Sequence, residues 1–332
     1  MTASFKTSEN RSVVVGIGSA LVDILLTESE SFARSSGAQI GGMKLVDNSF
    51  IPAILKKTSK KPAIVPGGSA CNTILGIGRL GAPARFIGKR GTDEWGELFE
   101  KGLRNHNVEP VLFTSGTPTG HVLSIITPDA QRSMLTYLGA SAETKPSEIT
   151  PAHFKNAALI HLEGYLLFNK ELMLAALRAA KSSGAKISLD MASYTVVESS
   201  IDLLRTIIKD YIDIIIANED EARVFTGFSD ERKAVAALSE NVDIAVVKMG
   251  GRGSLISHNG VVKHVAAHGG GAPVLDTTGA GDLWAAGFLY GLTQGFSIEK
   301  SGEIASACGY EVCKVVGATI PEEGWRRIKA SI

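Results

Sequence analysis

The chain has 332 residues, 44% of them apolar and 20% charged, and its 34 basic residues are balanced by 34 acidic ones. Such a composition is ordinary for a globular protein, and the length suits one large α/β domain with an appendage, or two domains. A formal charge of zero gives no electrostatic reason to expect nucleic acid or an anionic membrane as partner, although a phosphorylated ligand could still bind locally.

Three cysteines, Cys71, Cys308 and Cys313, with no CxxC pair argue against a disulfide scaffold or a zinc site and fit a reducing cytosol. The seven histidines show no HExxH or similar ligand spacing. Met1 to Ser12 is polar and lacks the apolar core of a signal peptide, and no apolar run approaches the length of a membrane helix. The reading is a cytoplasmic protein.

Val13 to Ile17 is a β-branched run ending in glycines and predicts a buried strand. Gly16-x-Gly18 invites a dinucleotide fingerprint, but Leu21 stands at the third glycine position and the chain continues apolar to Leu26. Asp23, alone inside that apolar run, needs a partner: a sugar hydroxyl pair, a backbone cap or an arginine. The lysines at 56, 57, 60 and 61 read as a solvated face. Pro66-Gly67-Gly68-Ser69-Ala70-Cys71-Asn72 precedes apolar residues at helical spacing (Ile74, Leu75, Ile77, Leu80). Paired glycines there either admit a ligand close to the backbone, with Asn72 donating and accepting, or form a plain turn with Ser69 as N-cap.

A strand at Ala84 to Gly88 and a helix from about Gly91 to Asn105 follow, with acids in the helix's first turn. From Val111 to Ala140 the texture changes. His121 to Thr127 and Arg132 to Leu138 flank the turn Pro128-Asp129-Ala130-Gln131 and predict a β-hairpin with no helix between its strands. From Ala157 onward Ile/Val-rich strands alternate with helices: strands at 159–162, 186–190, 212–217 and 243–248, helices near 170–182, 197–209 and 233–239. That alternation predicts a parallel sheet covered on both faces, with ligands at the carboxyl ends of its strands. Asn218 to Glu221 and Met249 to Ser254 fall at such ends. A helix over 297–316 and a short amphipathic piece over 325–330 close the chain.

The most informative stretch is Asp276-Thr277-Thr278-Gly279-Ala280-Gly281-Asp282, entered by Pro273-Val274-Leu275 and followed by the apolar run Leu283 to Leu292. Amides at Gly279, Ala280 and Gly281, at the positive end of a helix dipole, would form an anion cradle with Asp282 beside it. That suits phosphoryl transfer, the amides neutralising charge and Asp282 deprotonating an attacking hydroxyl. The alternative is a glycine-rich turn whose aspartate only stabilises the helix. No GxxxxGK[ST] sequence occurs, so a nucleotide-using enzyme here is not of the P-loop type.

Taken in order, Gly16 to Asp23, Gly67 to Asn72, Asn218-x-x-Glu221 and Asp276 to Asp282 resemble the ribokinase-like (PfkB) family of sugar and nucleoside kinases over essentially the whole chain. Arg132-Ser133-x-x-Thr136-Tyr137-Leu138-Gly139-Ala140 and Glu163-Gly164-Tyr165 look most like its adenosine kinase branch. The resemblance implies an α/β fold, a mostly parallel central sheet with helices on both faces, spanning 12–332. A small β lid would form from about 22–50 and 111–141. It implies a kinase transferring the γ-phosphoryl group of ATP, with Mg²⁺, to a primary hydroxyl of a ribose-containing substrate, adenosine first; another nucleoside or a free sugar is the alternative.

Residue by residue, the resemblance makes Asp282 the base and Gly279 to Gly281 the anion hole, and it puts Ser19, Asp23, Gly67, Gly68, Ser69 and Asn72 at the substrate. Asn218 and Glu221 would organise Mg²⁺, partly through water. Lys248, Gly250, Gly253 and Thr277 would meet the nucleotide. Asp276, Thr278 and the region of Gly317 match positions that bind a monovalent cation such as K⁺ in many relatives. Arg132 would either swing onto the phosphoryl group or stay solvated. Leu45, Leu123, Leu135 and Tyr137 are candidate lid contacts to the base. Three positions depart from the pattern: Ser19 where adenosine kinases often carry Asn, Lys248 where Thr is frequent, and Trp284 in place of Phe. A non-catalytic nucleotide or sugar sensor and a dehydrogenase are the remaining readings, and monomer and homodimer are both open.

Overall fold

The Ile/Val runs that read as buried strands assemble into one large sheet in a computed structural model of the protein, which describes residues 11–128, 131–269 and 274–332. Met1 to Asn10, the Asp129-Ala130 tip of the predicted hairpin turn and Pro273 lie outside the described residues. In chain order the strands are β1 (Val13–Ile17), β2 (Leu21–Thr27), β3 (Met43–Leu45), β4 (Ala63–Gly67), β5 (Ala84–Gly91), β6 (Val108–Ser115) and β7 (Thr119–Ile126). They continue as β8 (Arg132–Gly139), β9 (Ala157–Glu163), β10 (Lys186–Asp190), β11 (Ile214–Asn218), β12 (Ile244–Lys248), β13 (Ser254–His258) and β14 (Val261–Val265). The helices are α1 (Glu30–Ser35), α2 (Phe50–Leu55), α3 (Ser69–Leu80), α4 (Glu94–Asn105), α5 (Lys170–Ser183) and α6 (Tyr194–Tyr211). The last five are α7 (Glu219–Thr226), α8 (Glu231–Leu238), α9 (Ala280–Thr293), α10 (Ile298–Val312) and α11 (Glu322–Ala330).

The nine-stranded sheet has the order β14-β13-β12-β11-β10-β9-β1-β5-β6. Its strands run parallel from β12 to β6, and β13 and β14 add an antiparallel edge. Successive side chains of a strand face opposite ways, so each buried strand feeds two cores. Val14, Leu159, Ile214 and Ile216 join α3, α4, α9, α10 and α11 on one face. Val15, Ile160, Ile215 and Ala217 join α5, α6, α7 and α8 on the other. This is the expected α/β arrangement.

A five-stranded sheet of order β3-β8-β7-β2-β4 stands apart from the large one. Its Ile24, Leu26, Leu123, Ile125 and Leu135 pack under α1 and α2, which leaves the opposite face uncovered. The expected bounds of this appendage need two corrections. Residues 63–67 supply its edge strand β4, a short piece carrying Pro66 that reads as part of a turn. Residues 111–115 belong to β6, which pairs with β5 over eight positions as the edge of the large sheet. Pro110 sits on that edge, where a missing N–H is tolerated.

Small residues set the depth of α9. A Cβ on Gly287 would come within 2.7 Å of Ala305 Cα and 2.8 Å of Ile304 O, and one on Gly291 would meet Ser301, so α9 and α10 touch backbone to backbone. Overpacking such a contact typically costs about 1–3 kcal/mol. Gly287→Ala should lower the unfolding free energy by an amount in that range, read as a lower urea midpoint at an unchanged m-value; an unaltered midpoint would show that the helices have room to spare.

Candidate active site

The loop after β11, the turn before α9 and the N-terminus of α3 converge on one cleft of about 720 Å³, roofed by the uncovered face of the small sheet. Asp282, in the first turn of α9, is the meeting point. Its Oδ1 accepts from Ser69 Oγ at 2.8 Å and its Oδ2 from Asn72 Nδ2 at 2.9 Å. Thr73 Oγ1 adds a bond to the Asp282 carbonyl at 3.1 Å. Burial pushes the Asp282 carboxyl upward, and the bonds from Asn72 and Ser69 pull it back. Ser69 is therefore no N-cap: that place falls to Gly68, whose φ of 98° suits glycine, and the serine hydroxyl serves Asp282. Asn72, expected at ribose hydroxyls, gives an amide hydrogen to the same carboxylate.

The glycine turn also differs in detail from expectation. Gly279 adopts φ 72°, and the Ala280 amide donates to Thr277 O at 3.1 Å, closing the turn on itself. Among the described residues the Gly279 and Gly281 amides have no intramolecular acceptor, so the cradle comprises these two rather than three consecutive donors. Asp276 locks the turn from beneath. Its Oδ1 accepts from Thr278 N and Oγ1 (2.9 and 2.7 Å) and its Oδ2 from Gly317 N (2.8 Å). The candidate monovalent-cation residues are thus brought together, with the buried Asp276 carboxylate held by three neutral donors.

Asp23 lies on β2, on the cleft side of the small sheet, and is buried. Among the described residues no donor bonds its carboxylate. Burial raises it to about 7, with Arg132 opposing the rise and Asp282 adding to it. Gly67 is required beneath it, since a Cβ there would lie 2.2 Å from Asp23 Cγ, and a Cβ on Gly68 would lie 2.4 Å from Ser19 O. Arg132 lines the cleft as well. The apolar residues facing it are not the full expected set. Leu45 faces the cleft, but Leu123 and Leu135 point into the core under α1 and α2, with Tyr137 packed against it. Val122, Met134 and Leu138, on the other side of the same strands, line the cleft instead.

At the carboxyl end of β11, Asn218 and Glu221 form a reciprocal capping box on α7 (Glu221 N to Asn218 Oδ1, Asn218 N to Glu221 Oε2). Asn218 Nδ2 also donates to Glu221 Oε1 at 2.8 Å. Burial raises Glu221 to about 7; Asp190 adds to the shift and Lys248 opposes it. A buried carboxylate at that value is relieved by a nearby cation, which fits a Mg²⁺ site reached through water. Thr277 and Lys248 face the cleft, whereas Gly250 and Gly253 sit in the β12–β13 turn and are not among its lining residues.

Two participants escaped the sequence analysis as site residues. Glu163, at the end of β9, accepts from Ser19 N and Ala70 N (2.9 Å each) and ties the β1–β2 loop to α3. Asp190, at the end of β10, pairs with Lys248 Nζ at 2.8 Å. Both end strands of the parallel sheet, and that position is the signal that could have found them.

Residues 43–324 match the pfkB family carbohydrate kinases. The chain belongs to this family. This pfkB protein is 31% identical to the 5-dehydro-2-deoxygluconokinase of Bacillus subtilis (strain 168) over 256 residues, 73% of this chain and 78% of that protein. It superposes on a probable sugar kinase from Rhizobium etli CFN 42 with a TM-score of 0.89 at 29% identity, covering 97% and 99% of the two chains. An adenosine kinase from Sinorhizobium meliloti gives the same TM-score at 28% identity, covering 97% and 100%. The pfkB protein is a kinase with a sugar or nucleoside alcohol as acceptor, and kinase chemistry implies ATP, typically with Mg²⁺. No described helix is long and apolar enough to cross a membrane.

The raised carboxyls have a consequence for stability. The folded protein holds protons on Asp23 and Glu221 up to about pH 7, whereas the unfolded chain releases them near pH 4. These two groups thus bind more protons in the native state across that window, and their contribution to stability falls as pH rises through it, by at most about 1.4 kcal/mol per pH unit for each. His161, lowered by burial to about 4, acts in the opposite sense up to the ordinary histidine value. In thermal melts of the ligand-free protein from about pH 5 to 8, Asp23→Asn should lose less stability with rising pH than the wild type. Equal slopes in the two proteins would refute the shift assigned to Asp23.

Proposed function

We propose that this pfkB protein transfers the γ-phosphoryl group of ATP to the 5′-hydroxyl of a ribonucleoside, adenosine first. The observation that carries the reading is the pairing of Asp23, a buried carboxylate with no donor among the described residues, with the apolar side chains around it: Leu21, Met43, Leu45, Val122, Met134 and Leu138. A ribose diol would supply the donors that Asp23 lacks. The flat faces of a purine can cover these apolar residues, while Ser124, Thr136 and Arg132 on the same wall offer polar partners to an acceptor's hydroxyls or ring nitrogens. Met43 and Leu45 are exposed, and a base beneath them would remove that surface from water.

Each residue then has a task. Asp282, aimed by Ser69 and Asn72, takes the proton of the acceptor hydroxyl as its oxygen bonds to phosphorus and the bond to the ADP oxygen breaks. The Gly279 and Gly281 amides hold the charge that builds on the phosphoryl oxygens. Bound Mg²⁺, near Asn218 and Glu221, would screen the charge of the triphosphate. We read 12–332 as one kinase domain whose small sheet is a lid, closing to keep water from competing as acceptor.

A free-sugar acceptor is the second reading. Arg132, a cation lining the cleft beside the hydroxyl-binding end, favours it, because it would suit an acid or keto sugar. ADP release measured with adenosine, inosine, ribose and fructose separates the two. The expected result is turnover with adenosine giving a 5′-monophosphate, with ribose and fructose at least about tenfold poorer in kcat/KM. Efficient phosphorylation of a free sugar with none of adenosine would replace the first reading by the second.

A further inference from the structure

Neighbouring strands β10, β11 and β12 end in Asp190, Asn218 and Lys248, all at the floor of the cleft. Lys248 Nζ donates to Asp190 Oδ2 at 2.8 Å, with the two side chains only 15% and 8% exposed. The other oxygen, Asp190 Oδ1, accepts from Ala192 N at 2.9 Å, so the carboxylate that holds the ammonium is itself fixed. A Cβ on Gly281 would lie 3.0 Å from Lys248 Nζ. The ammonium therefore rests against the turn whose amides open into the cleft.

A buried ion pair is a weak source of stability, since desolvation of both charges offsets their attraction. What this pair supplies is a fixed positive charge where phosphate oxygens would lie. An ammonium carries three hydrogens, and among the described residues Asp190 is the one acceptor bonded to Nζ, which leaves hydrogens for a ligand. Burial works against the ammonium's charge, but Asp190, Glu221 and Asp282 outweigh it and keep the group protonated.

We propose that Lys248 is a catalytic residue: its ammonium, aimed by Asp190, bonds an oxygen of the migrating phosphoryl group as that group passes the Gly279 and Gly281 amides. The proposal rests on phosphoryl transfer at Asp282 but not on the identity of the acceptor. Lys248 keeps its proton throughout; the acceptor's proton goes to Asp282, and the electron pair of the broken P–O bond stays with ADP. Asp190 is a positioning residue that acts through Lys248.

The test compares the wild type with Lys248→Met, Lys248→Arg and Asp190→Asn. Binding of Mg·ADP and of Mg·ADP with aluminium fluoride, which mimics the transferring phosphoryl group, is measured by calorimetry with water in place of the acceptor. Steady-state kinetics are run with the best acceptor. Lys248→Met should bind ADP within about threefold of wild type, lose about a hundredfold or more of fluoroaluminate affinity, and lose a similar factor in kcat with acceptor KM nearly unchanged. Lys248→Arg should recover part of each loss, and Asp190→Asn should show a smaller loss of the same kind. Fluoroaluminate affinity and kcat within about threefold of wild type in Lys248→Met would overturn the proposal, as would an equal weakening of ADP and fluoroaluminate, which marks a nucleotide anchor only. If Lys248→Met melts out, Lys248→Gln takes its place under the same criteria. Should the wild type turn over none of the nucleosides or sugars, the acceptor reading fails while the fluoroaluminate comparison still decides Lys248.

Discussion

Two hydrogen bonds to one carboxylate join the N-termini of α3 and α9, and the rest of the cleft is arranged around that junction. Ser69 and Asn72 lie in the first turn of α3, Asp282 in the first turn of α9, so the positive ends of two helix dipoles meet at one acid. Close packing behind them fixes the geometry: a Cβ on Gly76 of α3 would lie 2.7 Å from Ala286 Cβ of α9. Glu163 extends the junction to the β1–β2 loop by accepting from both Ser19 N and Ala70 N. The acid at the centre of the site, the turn beside it and the strand that carries Asp23 are thereby held in a single frame.

The same frame concentrates charge where folding alone would not put it. Asp23, Glu163 and Glu221 all have carboxyls pushed upward chiefly by burial, and Asp282 shares the trend. Each would be more stable in water. Lys248 offsets part of the repulsion, and a magnesium nucleotide and a diol would offset more. A cleft that stores buried carboxylates, with Asp23 lacking a donor among the described residues, is thus matched to ligands that bring cations and hydroxyl donors.

Much of this was legible in the chain itself. Continuous Ile/Val runs alternating with helical spacing predicted the two-faced parallel sheet, and the order of four short motifs predicted the family. Other features depend on three-dimensional context. Leu123 and Leu135 looked like ligand contacts, but a strand's period of two sends them to the core and puts Val122 and Met134 in the cleft, and which face is which depends on where α1 and α2 pack. The fate of Asn72 and Ser69 depended on a partner over two hundred residues away. The loss of the Ala280 amide to Thr277 follows from the local turn once Gly279 takes a positive φ, which residue types alone do not specify. Asp190 reads as the end of an ordinary buried strand until Lys248 is seen beside it.

The measurement that bears most directly on the central claim is a comparison of wild type and Asp282→Asn in single-turnover phosphoryl transfer, with acceptor and nucleotide affinities determined separately. The amide can keep the bonds from Ser69 and Asn72 only in part and cannot take a proton from a hydroxyl. The account predicts a rate lower by at least about a hundredfold with both affinities within an order of magnitude of wild type. Transfer at the wild-type rate in the variant would contradict it.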